Sequence, residues 1–593
     1  MARVDDKPET ETVKPLGRIA RAFREHGAWA GAKCIFFRPW RADSRGDSAE
    51  SVPLQYAQLR GGNMEVLGFV PAELADAERL VLRVGPEDRT AATGSLRDLR
   101  FGGQVVRGTP FRFRIGTDFP DGVVSARLVG PDGGFRDVPF SIGPRFPLSL
   151  RYRFQRLRAP DGRELRLMPD GRLRIDRPGA LRRAARTFLF FAELFWKRTE
   201  QDWNAAFLRM EFAVWRRRNP GRVWLFSDKL TNPIDNAYAV AAALASRPEF
   251  EREKVSAWYL VDGKHSLRVR LAPGIRTVRF QSRLHRFLHL AAEAVVSSEG
   301  GYNPFRPLAP FKDLLAWQIR VFTDHGVIHH DLSALYGRDF NGFNLVLSGA
   351  SRERADIAGG LWGYDDDEVA LTGLPRWDAR ENAPENKVYF GFTWRKNLVE
   401  DVDKTTKERE YGNVFRQSEF LRNLRSLLSD PRLRRAAEEA GCRLVFLPHP
   451  LQRSVLSEFQ LPDWVEAVPE DKPYEEIYRD ASMLVTDYSS VAMDMAYLGK
   501  PVVYWQFDRE EFYATQGYTP SFWSWEEDGF GPVTATLDET VEAIVSCIRS
   551  GFAREPEYER RAKAFFVPRD KENGARACRA VFERIEKARC RKG

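Results

Sequence analysis

One stretch constrains the chain more than any other: residues 484–504, LVTDYSSVAMDMAYLGKPVVY. An apolar strand over Met483–Val485 leads into a polar turn of Thr486, Asp487, Tyr488, Ser489 and Ser490. From Val491 to Leu498 the apolar residues take helical spacing, Gly499 stops the helix, and Lys500-Pro501 open a second strand over Val502–Trp505. This is a strand–turn–helix–strand unit. A helix beginning at a serine pair offers unpaired backbone N–H groups and a positive dipole end, which suits a phosphate. Ser489 and Ser490 add hydroxyl donors, and Asp487 is placed to cap the helix or orient a sugar. The plainer alternative is an ordinary N-cap, because serine and aspartate are favoured there without a ligand.

The same alternation runs through the last two thirds of the chain. Strands are expected at Val223–Ser227, Val255–Val261, Thr277–Phe280, Ala294–Ser298 and Ile319–Asp324, with helices after Asn236 and over Arg283–Glu293. It begins again with strands at Val388–Phe392 and Arg443–Leu447 and helices over Ser418–Leu428 and Pro473–Asp480. Such alternation predicts parallel sheets covered by helices. We therefore expect two α/β domains, 221–380 and 381–593, around a cleft that meets the carboxyl ends of the strands.

What precedes them differs. Residues 1–14 are polar and expected to be disordered, and 15–42 are basic and aromatic, so 1–49 reads as a disordered or basic amphipathic segment. Short β runs over 50–175 (Leu80–Val84, Phe111–Ile115, Val123–Leu128, Val138–Ile142, then Leu148–Ile175) are divided by Pro-Asp-Gly and Gly-Gly turns. They predict a small all-β, sandwich-like accessory module. Residues 176–220 form a basic aromatic helical linker, with Phe188–Trp196 beside Arg182, Arg183 and Arg186. This segment and 15–42 are candidates for lying on an anionic membrane face, against the commoner outcome of burial on the protein itself.

Among 593 residues, Lys and Arg outnumber Asp and Glu by 92 to 83, a net charge of +9 that favours acidic partners but is too diffuse to argue for nucleic acid. Phe188–Trp196 is too short to span a bilayer and contains Glu193. The opening MARVDDKPETET lacks the order of a signal peptide, which points to the cytoplasm. Cys34, Cys442, Cys547, Cys578 and Cys590 have no metal or disulfide spacing.

Two histidines stand just past predicted strands, one in each α/β domain: His325 before Gly326, and His449 before Pro450. Histidine is the side chain best suited to move a proton near neutral pH. His329 and His330 follow in HGVIHH, but without a third ligand they make a poor metal site. Arg395 in TWR suits a phosphate or a nearby aspartate, and Arg376 lies between the domains.

In order, NPIDNAY (232–238), HG (325–326), LTGLPRWD (371–378), TWR (393–395), LPHP (447–450), VTDYSSVAMDMAYLGKPVVY and EEFYATQGY (510–518) resemble the CDP-glycerol glycerophosphotransferases, the teichoic acid primases and polymerases of Gram-positive bacteria. The resemblance covers roughly 220–565 and implies a GT-B-like pair of Rossmann-like domains. It implies a peripheral enzyme at the cytoplasmic membrane face, moving a polyol phosphate from CDP-glycerol to a lipid-linked polymer and releasing CMP. His325 would be the general base, and His449 would stabilise the charge developing on CMP. Arg395, Thr486, Ser489 and Ser490 would hold the donor's phosphates, and Asp487 and Asp494 would orient it. His330 and Arg376 would be phosphate or acceptor contacts, and the site would need no cofactor, since phosphoryl transfer depends on positioning and charge. Where this family usually reads HGTPLK, the chain reads HGVIHH, so His330 stands at the lysine. CDP-ribitol is a competing donor. A capsule glycosyltransferase using CMP-sialic acid, or a non-enzymatic membrane-surface polymer-binding protein, are the readings outside the family.

Overall fold

A computed structural model describes residues 51–589, apart from short internal stretches of which 143–153, 263–270, 301–310 and 403–408 are the longest. The amphipathic segment expected over 15–42 lies outside the described residues.

The strands of 51–176 form two sheets that share one core. One holds Val52–Arg60, Asn63–Pro71 and Gln104–Ile115; the other holds Arg79–Val84, Gly122–Val129 and Leu173–Asp176. Leu173 pairs with Val124, so the β segment after residue 148 extends the first one's sheet. Alternation drives the packing: on Gly122–Val129, Val124, Ala126 and Leu128 turn inward with partly exposed residues between them. A helical hairpin follows, α1 (Ala180–Trp196) and α2 (Glu200–Arg218).

The first α/β domain has seven parallel strands: β1 (Arg222–Ser227), β2 (Val255–Val261), β3 (Arg276–Arg279), β4 (Ala294–Ser297), β5 (Ile319–Phe322), β6 (Leu345–Ser348) and β7 (Val369–Leu371). Their order is β3-β2-β1-β4-β5-β6-β7. Helices α3 (Asn236–Ser246) and α4 (Arg283–Ala291) cover it. The second sheet comprises β8 (Lys387–Phe390), β9 (Arg443–Phe446), β10 (Val465–Ala467), β11 (Ala481–Thr486), β12 (Val502–Trp505) and β13 (Val533–Thr534), ordered β10-β9-β8-β11-β12-β13. Both orders reverse at the first strand of the sheet, as in Rossmann-like domains, and the pair gives the expected GT-B-like architecture. β4, β6, β8, β11 and β12 are buried along their whole length, as strands covered on both faces must be.

Two features go beyond the sequence reading. β6 and β7 belong to the first sheet although neither was anticipated. The last helix, α6 (Asn573–Arg589), also leaves the second domain. Its Ala577, Cys578, Val581 and Ile585 enter the core of the first, beside Trp224 and Val240.

Candidate active site

The two sheets present their carboxyl ends to each other. After β5 the chain turns through Asp324, held in the left-handed region at φ 49°, and delivers His325 half-exposed into the cleft. After β1 it turns through Ile234, also left-handed at φ 77°, to place Asp235 at the N-cap of α3. A β-branched residue in that region is strained, and such strain persists where surrounding contacts over-determine it. Here buried Asp228 supplies those contacts, accepting the N–H groups of Asp235, Ala237 and Tyr238 and the Tyr259 hydroxyl.

Asp235 Oδ2 stands 3.1 Å from His325 Nδ1. Its other oxygen accepts from Arg376 at 2.7 Å, and Arg376 also donates to the His325 carbonyl. Burial opposes charge on His325, but the Asp235 hydrogen bond and the charges of Asp324, Asp235 and Asp228 outweigh it and draw its pKa upward. Burial also works against charge on Asp235, yet Arg376 and His325 hold its pKa down near 2. Asp324 is pushed up to about 6 by burial, which His325 partly offsets. With Nδ1 on Asp235, the other ring nitrogen of His325 is left for the cleft.

Arg376 bridges the domains. Its Nε and Nη2 bind both oxygens of Asp494, at 3.2 and 2.7 Å, and Trp377 Nε1 donates to the same carboxylate at 3.0 Å. Asp494 lies on α5 (Val491–Tyr497), the helix that follows the serine turn. Gly326 packs against that turn; a Cβ there would stand 3.2 Å from Ser490 Oγ, so glycine permits the approach. His329 Nε2 and the Tyr488 carbonyl, 3.2 Å apart, close the same contact. The loop after His325 is pinned by buried Glu353, which accepts from the Ile328 and Gly349 N–H groups at 2.6 Å.

In the second domain His449 follows β9. Its Nδ1 accepts the Leu451 N–H at 3.2 Å, which fixes the neutral tautomer with the proton on Nε2. The ring lies beside Trp394, centroids 6.4 Å apart.

The other expected residues divide sharply. Ser489 and Ser490 are partly exposed, with Ser489 Oγ accepting the Val491 N–H at 3.3 Å. Thr486 is buried and donates to the Gly391 carbonyl. Asp487 is fully buried and accepts from Thr393 and Tyr488 N–H groups. Arg395, also buried, binds Asp487 at 2.9 Å and Asp508 at 2.7 Å: the pairing with an aspartate that its sequence context left open. Its guanidinium and Asp487 therefore brace the floor of the site. Asp494 is likewise buried, and acts on the cleft through Arg376.

His330 is not a conditional cation at the lysine position. It is buried, stacks on Tyr518 at 4.9 Å and touches Tyr513 and Trp525. Burial, reinforced by His329, drives its pKa to about 2, so it is neutral. It pairs with Pro520 in a two-stranded bridge between the domains, which removes it from phosphate contact. Among the described residues no group of three His, Cys, Asp or Glu side chains is placed to hold a metal ion.

Asp235 and Asp324 are the residues the sequence did not single out. The only available signal was a carboxylate at a helix N-cap just past the first strand of the domain, in NPIDNAY.

Over 392 residues the chain is 26% identical to the minor teichoic acid biosynthesis protein GgaB of Bacillus subtilis (strain 168), a match covering 65% of this chain and 42% of that protein. Over 182 residues it is 25% identical to the teichoic acid glycerol-phosphate primase of Bacillus spizizenii (strain ATCC 23059 / NRRL B-14472 / W23), covering 30% of this chain and 43% of that one. These matches span less than half the length of either relative. The solved structure of the wall teichoic acid polymerase TagF overlaps 65% of this chain and 98% of its own, at 15% identity and a TM-score of 0.44. The sequence model of one family matches residues 208–583, which takes in both α/β domains, His325, His449 and the serine turn: the chain belongs to the CDP-glycerol:poly(glycerophosphate) glycerophosphotransferase family.

Proposed function

We propose that the protein transfers glycerol phosphate from CDP-glycerol to a hydroxyl of a teichoic-acid-type polymer and releases CMP. The observation that carries this reading is the Asp235–His325 pair, whose next residue, Gly326, packs against Ser490 of the serine turn, within the family's matched region. The acceptor hydroxyl lies against His325 Nε2, which takes its proton while Nδ1–H stays on Asp235. The freed oxygen attacks the phosphorus that bears glycerol, and the bond from that phosphorus to the CMP oxygen breaks. His449 donates its Nε2–H to the charge growing on CMP. Ser489 and Ser490 hold the donor phosphates. Arg376, tied to Asp494, keeps the two halves of the site in register.

The acceptor is lipid-linked, so the protein works peripherally at the cytoplasmic membrane face of a Gram-positive cell. The names of the relatives, all concerned with teichoic acid, support that setting. Purified protein given a lipid-linked glycerol-phosphate primer tests the reading. CDP-glycerol should yield an acceptor longer by one glycerol phosphate per CMP released. Turnover of CDP-ribitol or CMP-sialic acid in its place would overturn the choice of donor.

A further inference from the structure

The β module carries a groove of about 560 Å³ that the transfer reaction does not use, lined by residues of both its sheets. Arg112 and Arg114 come from the strand Gln104–Ile115, where Phe111, Phe113 and Ile115 turn into the core and the arginines between them turn out. Arg89 comes from the strand Glu87–Thr90 of the other sheet and lies over Phe119 at 5.4 Å. Phe113, Phe119 and Leu82 give the groove an apolar floor.

Its charges say what it holds. The side chains of Arg89, Arg112 and Arg114 are 35%, 39% and 55% exposed. Arg112 donates to Asp365 from Nη1 at 2.8 Å, and Arg114 donates to Glu65 from Nε at 3.2 Å. Among the described residues the other nitrogens of these two guanidinium groups make no hydrogen bond. Glu65 is fully buried and is shared with Arg338 at 3.2 Å, so the groove keeps a surplus of positive charge. Every basic residue over 51–176 is an arginine, the side chain that grips a phosphate in a bidentate fork where lysine offers a point charge.

Spacing narrows the ligand. Residues two apart on a strand lie about 7 Å from each other. Phosphates joined through one glycerol span about 7 Å when extended. Arg112 and Arg114 therefore match consecutive phosphates of such a chain. Nucleic acid also presents a row of phosphates, but a single-strand site needs open rings on which bases stack, and Phe113 and Phe119 are only 7% and 4% exposed. The groove also stands apart from the chemistry. Asp365, the partner of Arg112, precedes β7, and Arg376 and the cleft lie past the other end of that strand.

We propose that this groove binds a polyol-phosphate chain through its phosphodiesters, as a second hold on the polymer away from the cleft. The inference rests on the proposed function, which makes such a chain the acceptor. A chain held in the groove stays at high effective concentration near His325 between transfers, so the module favours long acceptors over short ones.

The test is binding of a fluorescent oligo(glycerol phosphate) to the full chain, followed by anisotropy. Binding should weaken as salt rises. Arg89→Gln, Arg112→Gln and Arg114→Gln together should weaken it about tenfold or more. Arg114→Gln alone, at the most exposed of the three, should weaken it in the same direction with the thermal midpoint unchanged. In the triple variant KM for a long acceptor should rise about tenfold, while kcat and KM for a primer of one glycerol phosphate stay as in the wild type. No binding by the wild type, binding unaltered in both variants, or a KM that rises equally for long and short acceptors overturns the proposal. Tighter binding of a single-stranded oligonucleotide of equal charge overturns the choice of polymer. Groove-dependent binding without transfer from CDP-glycerol would overturn the proposed function and leave the groove standing; transfer without such binding would do the reverse.

Discussion

Asp235 and His325 lie 90 residues apart in sequence and meet at 3.1 Å, each held by a loop turned through a left-handed residue. The carboxylate fixes which imidazole nitrogen faces the cleft and draws the pKa of His325 upward. Asp235→Asn should lower kcat/KM by about 10²–10⁴-fold, the scale of a general base deprived of its orienting partner. The pH profile separates this from a structural defect. A base must be neutral to act, so activity rises with pH through the pKa of His325. Losing the Asp235 charge lowers that pKa, and the acid limb of kcat/KM should move to lower pH. An acid limb that stays in place would remove Asp235 from the mechanism.

His449 has two jobs that one substitution can split. Nδ1 caps the turn at Leu451, and in the proposed mechanism Nε2–H is the donor toward the leaving phosphate. Asparagine can keep the first through its side-chain oxygen but does not reach as far as Nε2. His449→Asn should retain the wild-type melting temperature and lose about 10²–10³-fold in kcat, as when one oxyanion donor is removed. A matching loss of stability would make the residue a cap alone.

Arg395 should reveal itself in stability. It lies between Asp487 and Asp508, with its guanidinium over Phe420 and Phe512. Arg395→Ala leaves buried carboxylates without their cation and should cost about 3–5 kcal/mol in urea unfolding of the second domain. A folded, equally stable variant with a raised KM for donor would restore the phosphate role.

The β module is tied to the first α/β domain by buried charge. Arg338 binds Glu65 of the module at 3.2 Å and Glu368 at 3.1 Å, and Arg584 of α6 binds Glu368 at 3.0 Å. Arg338→Ala should cost about 3–5 kcal/mol at that junction and let protease release the module at concentrations that leave the wild type whole. An unchanged digestion pattern would show the contact to be dispensable.

The sequence made the α/β pair legible because buried parallel strands such as Val502–Trp505 leave short apolar runs between helical repeats. β6, the four residues LVLS, escaped because so short a run resembles many others. The period of α6 was readable, but not its destination, since Val581 and Ile585 would suit either sheet. His325 and His449 could be singled out because each follows a strand. The pairing of Asp235 with His325, the diversion of Arg395 to two aspartates and the aromatic burial of His330 all depend on long-range contacts. Local spacing does not encode such contacts.

The most direct test of the account is CMP release from CDP-glycerol with a lipid-linked glycerol-phosphate primer, measured for the wild type, His325→Ala and His449→Ala. The account predicts primer-dependent release by the wild type and a loss of about 10²-fold or more in each variant, with all three proteins equally folded. Release by either folded variant at the wild-type rate would contradict the two-histidine cleft.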